Sequence, residues 1–192
     1  QGNERSERPG RFNWNRPSFG GNGCPDGTMS IAFAPDNMSF SVLFDKFVAQ
    51  GASVMTCNLV VPMTIPDGQQ LEITRVDLRG FAGLPGTDSR AVLNSSFNFR
   101  GPGGDRDRIN LNYTFQGPYT DNYLISTDSM SEGGAVTTGE VSPCGGQANL
   151  AIAMQLRVQS RTPGAQITLD SVDSSSHAIY YLNWRSCTPP SR

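Results

Sequence analysis

One lysine, one histidine and no C-x-x-C pair occur in this 192-residue chain, and each scarcity removes a class of function. With Lys46 the sole lysine among 15 basic residues and a formal net charge of −2, the phosphate-neutralising surface of a nucleic-acid binder is missing, so nucleic acid is not an expected partner. The lone His177 and the lack of closely spaced cysteine pairs argue against a zinc or redox centre. No apolar run approaches the roughly 18 residues that span a bilayer, so membrane insertion is not expected. Nor does any segment repeat apolar residues at i, i+3, i+4 and i+7 over a helix length.

What is present points to strands. Glycine (21) and proline (13) are frequent, hydrophobic residues make up 36% and charged residues only 17%, a balance that suits short strands joined by tight turns. Met29, Ile31 and Phe33 alternate with small residues up to Pro35-Asp36-Asn37, then Phe40, Val42 and Phe44 share a face, which predicts a hairpin. Cys57 opens a third strand that runs through Met63 and Ile65 to the turn Pro66-Asp67-Gly68. Leu71, Ile73, Val76 and Leu78 slip phase between Ile73 and Val76, the mark of a bulge. Val92 to Phe99, Ile109 to Phe115, Tyr119 to Ser126, Leu150 to Val158, Ile167 to Leu169 and Ile179 to Trp184 complete about ten strands, with Gly117-Pro118 as a turn. The expected fold is all-β: a single antiparallel β-sandwich at residues 24–187, preceded by an extended arm at 1–23 and followed by a tail at 188–192.

Cys24, Cys57, Cys144 and Cys187 are even in number and widely spaced, which reads as two disulfides and an oxidising compartment, secreted or at the cell surface. Four cysteines allow three pairings. The favoured one joins Cys24 to Cys57 and Cys144 to Cys187, since each pair brackets a local group of strands and each loop would contribute roughly 3–4 kcal/mol. The chain starts at Gln1 rather than methionine, as either removal of a signal peptide or an artificial boundary would produce.

No catalytic constellation emerges, so no enzyme, cofactor or metal is expected. His177 with Ser176 and Asp173 lacks a nucleophile elbow. Asp105 and Asp107 alternate with arginines, Asp170 and Asp173 lack an EF-hand pattern, and Gly101-Pro102-Gly103-Gly104 lacks the Lys and Ser/Thr of a phosphate loop. Asn37, Asn94 and Asn112 head N-glycosylation sequons. Tyr113, Tyr119, Tyr123, Tyr180, Tyr181 and Trp184 read first as packing residues and second as a sugar platform.

Within the arm, Phe12 and Trp14 alternate with Arg11 and Asn13, with Arg16 and Phe19 beyond. Such a stretch can fold back on its own domain or add a strand to a neighbouring subunit. The leading expectation is therefore a structural or adhesive protein, a homo-oligomer or polymer coupled through Arg11, Phe12, Trp14, Arg16 and Phe19. A glycan partner is the alternative.

Several local patterns resemble one family: Gly23-Cys24-Pro25-Asp26-Gly27, Phe44-Asp45-Lys46-Phe47, Cys57-Asn58-Leu59, Phe115-Gln116-Gly117-Pro118-Tyr119, Ser142-Pro143-Cys144-Gly145 and Tyr181-Leu182-Asn183-Trp184-Arg185-Ser186-Cys187. In this order they look like the secreted proteins grouped as domain of unknown function 4360, over about residues 22–187. The resemblance implies export and a β-rich domain, brings no catalytic residues, and leaves the arm outside.

Overall fold

A computed structural model describes residues 13–14, 16–101, 108–127, 139–169 and 177–188. Two antiparallel sheets face each other. The first contains β1 (Asn13–Trp14), β2 (Ser18–Gly20), β6 (Ser53–Ile65), β8 (Arg90–Arg100), β9 (Ile109–Gln116) and β12 (Gly146–Gln159), in the order β1-β6-β12-β8-β9, with β2 also on β6. The second contains β3 (Met29–Phe33), β4 (Ser39–Phe44), β5 (Val48–Gln50), β7 (Gln69–Leu84), β10 (Tyr119–Ser126), β11 (Glu140–Val141), β13 (Gln166–Thr168) and β14 (Ala178–Ser186). Its order is β3-β4-β14-β7-β13-β5, and β10 and β11 also pair with β7. The described residues contain no helix, and so none long and apolar enough to cross a membrane.

The long strands form where alternation is cleanest. In β4, and in β6 from Cys57 onward, every second side chain, including Phe40, Val42, Phe44, Leu59, Val61, Met63 and Ile65, is buried in one core between the sheets. The predicted hairpin is β3 with β4, Phe33 opposite Phe40. The predicted bulge lies at Thr74: β14 pairs Tyr181 with Arg75 but Leu182 with Ile73, so two residues of β7 advance for one of β14. The strands beyond the expected ten, β1, β2, β5 and β11, are two or three residues long, too short to show a period.

Both disulfides form as the spacing suggested, Cys24 with Cys57 and Cys144 with Cys187. Their structural role differs from bracketing local strands. Cys24 leads into the second sheet while Cys57 sits in β6 of the first; Cys144 leads into β12 of the first while Cys187 follows β14 of the second. Each bridge therefore anchors a segment in which the chain crosses from one sheet to the other, β2 to β3 and β11 to β12.

Glu140 makes a polar tie between the layers. The ladder between β8 and β9 stops at Phe97 opposite Ile109, and two residues further the Phe99 N–H donates to the buried Glu140 carboxylate at 2.7 Å. Removing that acceptor strands a buried donor. Glu140→Ala is expected to cost about 2 kcal/mol in urea unfolding, and Glu140→Gln, which keeps an acceptor, clearly less.

The described part of the arm lies on its own domain. Ser18–Gly20 pair with Asn58–Val60, and Asn13 and Trp14 pair with Thr64 and Met63. The gap between these ladders falls where Pro17 and Pro62 both lack an N–H. Beyond β2 the Asn22 side chain continues the edge: Oδ1 accepts from Thr56 N–H at 2.7 Å and Nδ2 donates to the Val54 carbonyl at 3.1 Å. Gly21 and Gly23 permit this approach, since a Cβ on Gly21 would meet the Thr56 oxygen and one on Gly23 the Phe47 ring.

Candidate functional site

β9 leaves the first sheet at its edge, turns at Gly117-Pro118 through a cis peptide bond, and returns as β10 in the second sheet. The sandwich is open on this side, and the chain lines the opening with aromatics. Register fixes which ones. Tyr113 and Phe115 lie opposite Leu93 and Ala91, both buried, and therefore point toward the interior; Tyr119 and Tyr123 do the same opposite Leu84 and Gly80.

The result is a cleft of about 490 Å³ lined by Tyr113, Phe115, Tyr119, Tyr123 and Leu124. Phe115, 5% exposed, is the hub: its ring centroid lies 4.8 Å from Tyr113, 5.5 Å from Tyr119 and 5.0 Å from Tyr123, all at tilted angles. Tyr113 is 45% exposed and Leu124 50%, so the inner rings are fixed by packing while the rim is wet. Tyr123 is locked further, its hydroxyl donating to the Thr168 carbonyl at 2.6 Å across Gly80. A Cβ on Gly80 would collide with both groups, so only glycine lets the phenol cross here.

Polar groups stand beside the aromatics. The Tyr119 phenol is held above its usual pKa by burial first, then by the Asp121 carboxylate and Tyr113, and stays a neutral donor at physiological pH. Asp121 is exposed, its Oδ1 accepting from the Asn122 N–H at 2.8 Å. A rigid apolar wall, an exposed ring and a few polar groups at the rim match the general make-up of a small-ligand site.

A second concavity, about 440 Å³, lies on the outer face of the first sheet. Thr56, Gln155, Asn94 and Asn112 stand in one cross-strand row over β6, β12, β8 and β9. The adjacent row is Asn58, Ala153, Ser96 and Asn110. The sequence marked Asn94 and Asn112 only as sequons. The signal available was amide side chains at alternate positions within strands, where asparagine is disfavoured.

Of the other predicted tyrosines, Tyr180 is fully buried and Tyr181 packs under the Arg75 guanidinium, 5.4 Å from its ring centre. Trp184 is packed against the core, its indole N–H donating to the Asn37 carbonyl at 3.4 Å. Among the arm residues, Phe19 packs partly buried against the core and Arg16 is exposed; Trp14 contributes its backbone to β1, and Arg11 and Phe12 lie outside the described residues.

Asp105, Asp107, Asp170, Asp173 and Ser176 also lie outside the described residues. Among those described, no group of three or more His, Cys, Asp or Glu is arranged to hold a metal ion. His177 is partly buried beside Arg79, and desolvation first, then the guanidinium, lowers its pKa from the usual 6.5. The unfolded chain therefore takes up a proton near pH 6.5 that the folded chain takes up only at lower pH. Stability is expected to fall as pH drops below about 6.5, the penalty being complete below the folded pKa. Subtracting the unfolding free energy of His177→Asn from that of the parent, from pH 7.5 to 4.5, should expose this slope.

Comparison with known proteins places the fold in context. The family model described as "Domain of unknown function (DUF4360)" matches residues 12–187. The match begins ahead of residue 22, so residues 12–23 lie within the family domain, consistent with the pairing of residues 13–14 and 18–20 on β6. An "Uncharacterized secreted protein" of Arthroderma benhamiae is 30% identical over 180 residues, covering 89% of this chain and 70% of that protein.

Among solved structures, TmCBM61 in complex with beta-1,4-galactotriose is similar at a TM-score of 0.29 and 9% identity, over 89% of this chain and 88% of that one. The family 11 carbohydrate-binding module from Clostridium thermocellum, in complex with a beta-1,3-1,4-mixed-linked tetrasaccharide, has a TM-score of 0.24 and 7% identity, over 94% and 90%. Likenesses this distant carry no argument about ligands. The family match and the secreted relative, with both disulfides formed, establish a secreted all-β protein that belongs to the DUF4360 family.

Proposed function

We propose that this protein binds glycans outside the cell, without cleaving them, through the cleft between β9 and β10. The observation that carries the reading is Tyr113: a large ring, 45% exposed, held against the buried Phe115 at 4.8 Å at the mouth of a concave site. Tyr113 shares this concavity with the exposed Leu124, and contiguous apolar surface rimmed by polar groups is where a partner with an apolar face docks. The C–H face of a pyranose offers such an apolar surface, and the Tyr119 hydroxyl in the lining, with the Asp121 carboxylate near it, supplies polar groups for its hydroxyls. Glycosidic hydrolysis needs two carboxylates flanking the bond. None of the described lining residues is a carboxylate, with Asp121 at the rim alone, which supports binding rather than catalysis. A glycan array carrying cell-wall oligosaccharides tests the reading: discrete positive glycans are expected, and a uniformly blank array contradicts it.

Assembly through the arm draws on a different observation. The cis ladders are only two and three residues long, so exchanging them with the same edge of another copy would sacrifice few hydrogen bonds. On that reading, deleting residues 1–20 converts an oligomer to a monomer in sedimentation velocity. A parent that is already monomeric contradicts that reading.

A further inference from the structure

We propose that the outer face of the six-stranded sheet is a second binding surface, built for an extended neutral polysaccharide. It stands apart from the aromatic cleft. β9 separates the two, sending Asn110 and Asn112 to the outer face and Leu111 and Tyr113 inward.

Composition is the first observation. The strands β6, β8, β9 and β12 contain no aspartate, glutamate or lysine, and their only charged residues are Arg90, Arg100 and Arg157. A solvated sheet face usually carries mixed charge, and asparagine is among the residues strands tolerate least, because its amide competes with the backbone for hydrogen bonds. Here amides occupy mid-strand positions on all four adjacent strands. Local preference set aside so consistently marks a surface shaped by a ligand rather than by the fold.

Register is the second. Thr56, Gln155, Asn94 and Asn112 are direct cross-strand neighbours. With strands spaced roughly 4.8 Å apart, the row runs for about 14 Å. Asn94 and Gln155 already touch through their amides at 3.5 Å. In the parallel row Ala153 lies between Asn58 and Ser96, and its short side chain forms the floor of the 440 Å³ groove.

The chemistry selects the ligand. Each amide offers two N–H donors and a carbonyl acceptor, and so can meet a hydroxyl that both donates and accepts. No carboxylate lines the groove among the described residues. The Arg108 guanidinium at the groove is engaged with the Ser96 hydroxyl, at 2.8 Å from Nη2 and 3.2 Å from Nε. A neutral, hydroxyl-rich chain lying across the strands satisfies the rows without needing charge.

The test is affinity electrophoresis through gels containing soluble mixed-linkage β-glucan, galactomannan or arabinoxylan, with polygalacturonate as a polyanion control. Protein made in a host that adds no N-glycans keeps Asn94 and Asn112 free. At least one neutral polymer should retard the parent. Asn94→Ala/Gln155→Ala should weaken that retention tenfold or more, and Ala153→Trp, which fills the groove, should do so even if the double variant fails to fold. Thr120→Ala, exposed on β10 of the other sheet and outside both concavities, should keep it within twofold, and 0.5 M NaCl should leave it unchanged because no ion pair is involved.

Retention lost in Tyr113→Ala but kept in both groove variants overturns this inference and leaves the cleft reading standing. Retention by polygalacturonate alone, abolished by salt, overturns it in favour of polyanion capture. A concentration-dependent dimer abolished by Ala153→Trp overturns it in favour of a second copy of the chain. No retention of the parent by any neutral polymer overturns it outright.

Discussion

Replacing Cys24 and Cys57 together by alanine is expected to lower the unfolding free energy by about 4 kcal/mol from loop entropy alone. The bridge closes a loop of 33 in sequence separation with Cα atoms 5.5 Å apart, and it links the entry to β3 with β6 in the opposite sheet. Both cysteines are essentially inaccessible, so the double variant also loses buried sulfur and leaves a void. Single domains are commonly stable by only about 5–15 kcal/mol, so this is a large fraction of the whole. The Cys144–Cys187 loop is longer, at 43, and its entropic share is of similar size, but its cysteines are partly exposed. A thiol reductant should therefore open Cys144–Cys187 first and Cys24–Cys57 only on unfolding. Timed alkylation with mass mapping checks the order; simultaneous opening would contradict the burial argument.

Tyr180→Ala is expected to cost about 4 kcal/mol, near the upper range for emptying a buried aromatic site. Tyr180 is fully buried, stacked on Phe40 at 4.9 Å within its own sheet and edge-on to Phe97 of the other sheet at 5.9 Å. Removing it breaks packing in both layers at once. Burial pushes its phenol far above the usual pKa, so no phenolate forms there in the working range. Tyr180→Phe keeps the ring and should retain most of the stability in urea unfolding. A loss as large as that of alanine would mean that the hydroxyl, rather than the ring, carries the contribution.

Much of this architecture is legible in the sequence because strands write a period of two. Phe40, Val42 and Phe44 announce a buried face before any coordinates, and the slip from Ile73 to Val76 announces the Thr74 bulge. Pairing between sheets is less legible, since it depends on contacts distant in sequence. Thus the Cys24–Cys57 connection can be read from spacing, while its place at the crossing from β2 to β3 cannot. The arm shows the same limit: alternation of Phe12 and Trp14 indicates a strand, but which edge receives it depends on β6 being exposed there, and β6 of the same chain takes Asn13–Trp14.

The candidate sites divide in the same way. Tyr113 appears in sequence as one tyrosine among five, all in or beside strands. Only the divergence of β9 and β10 at Gly117-Pro118 leaves it at a rim while Tyr180 goes to the core. The amide rows were present as residues but not as rows, because adjacency of Asn112, Asn94, Gln155 and Thr56 needs the register of four strands drawn from separate parts of the chain.

Glycan binding at the aromatic cleft is tested most directly by isothermal titration calorimetry of the parent and Tyr113→Ala with a glycan positive on the array. The expected result is a dissociation constant at least tenfold higher for Tyr113→Ala, with only a small fall in melting temperature from the lost Tyr113–Phe115 contact. Affinity within twofold of the parent would contradict the assignment of the cleft.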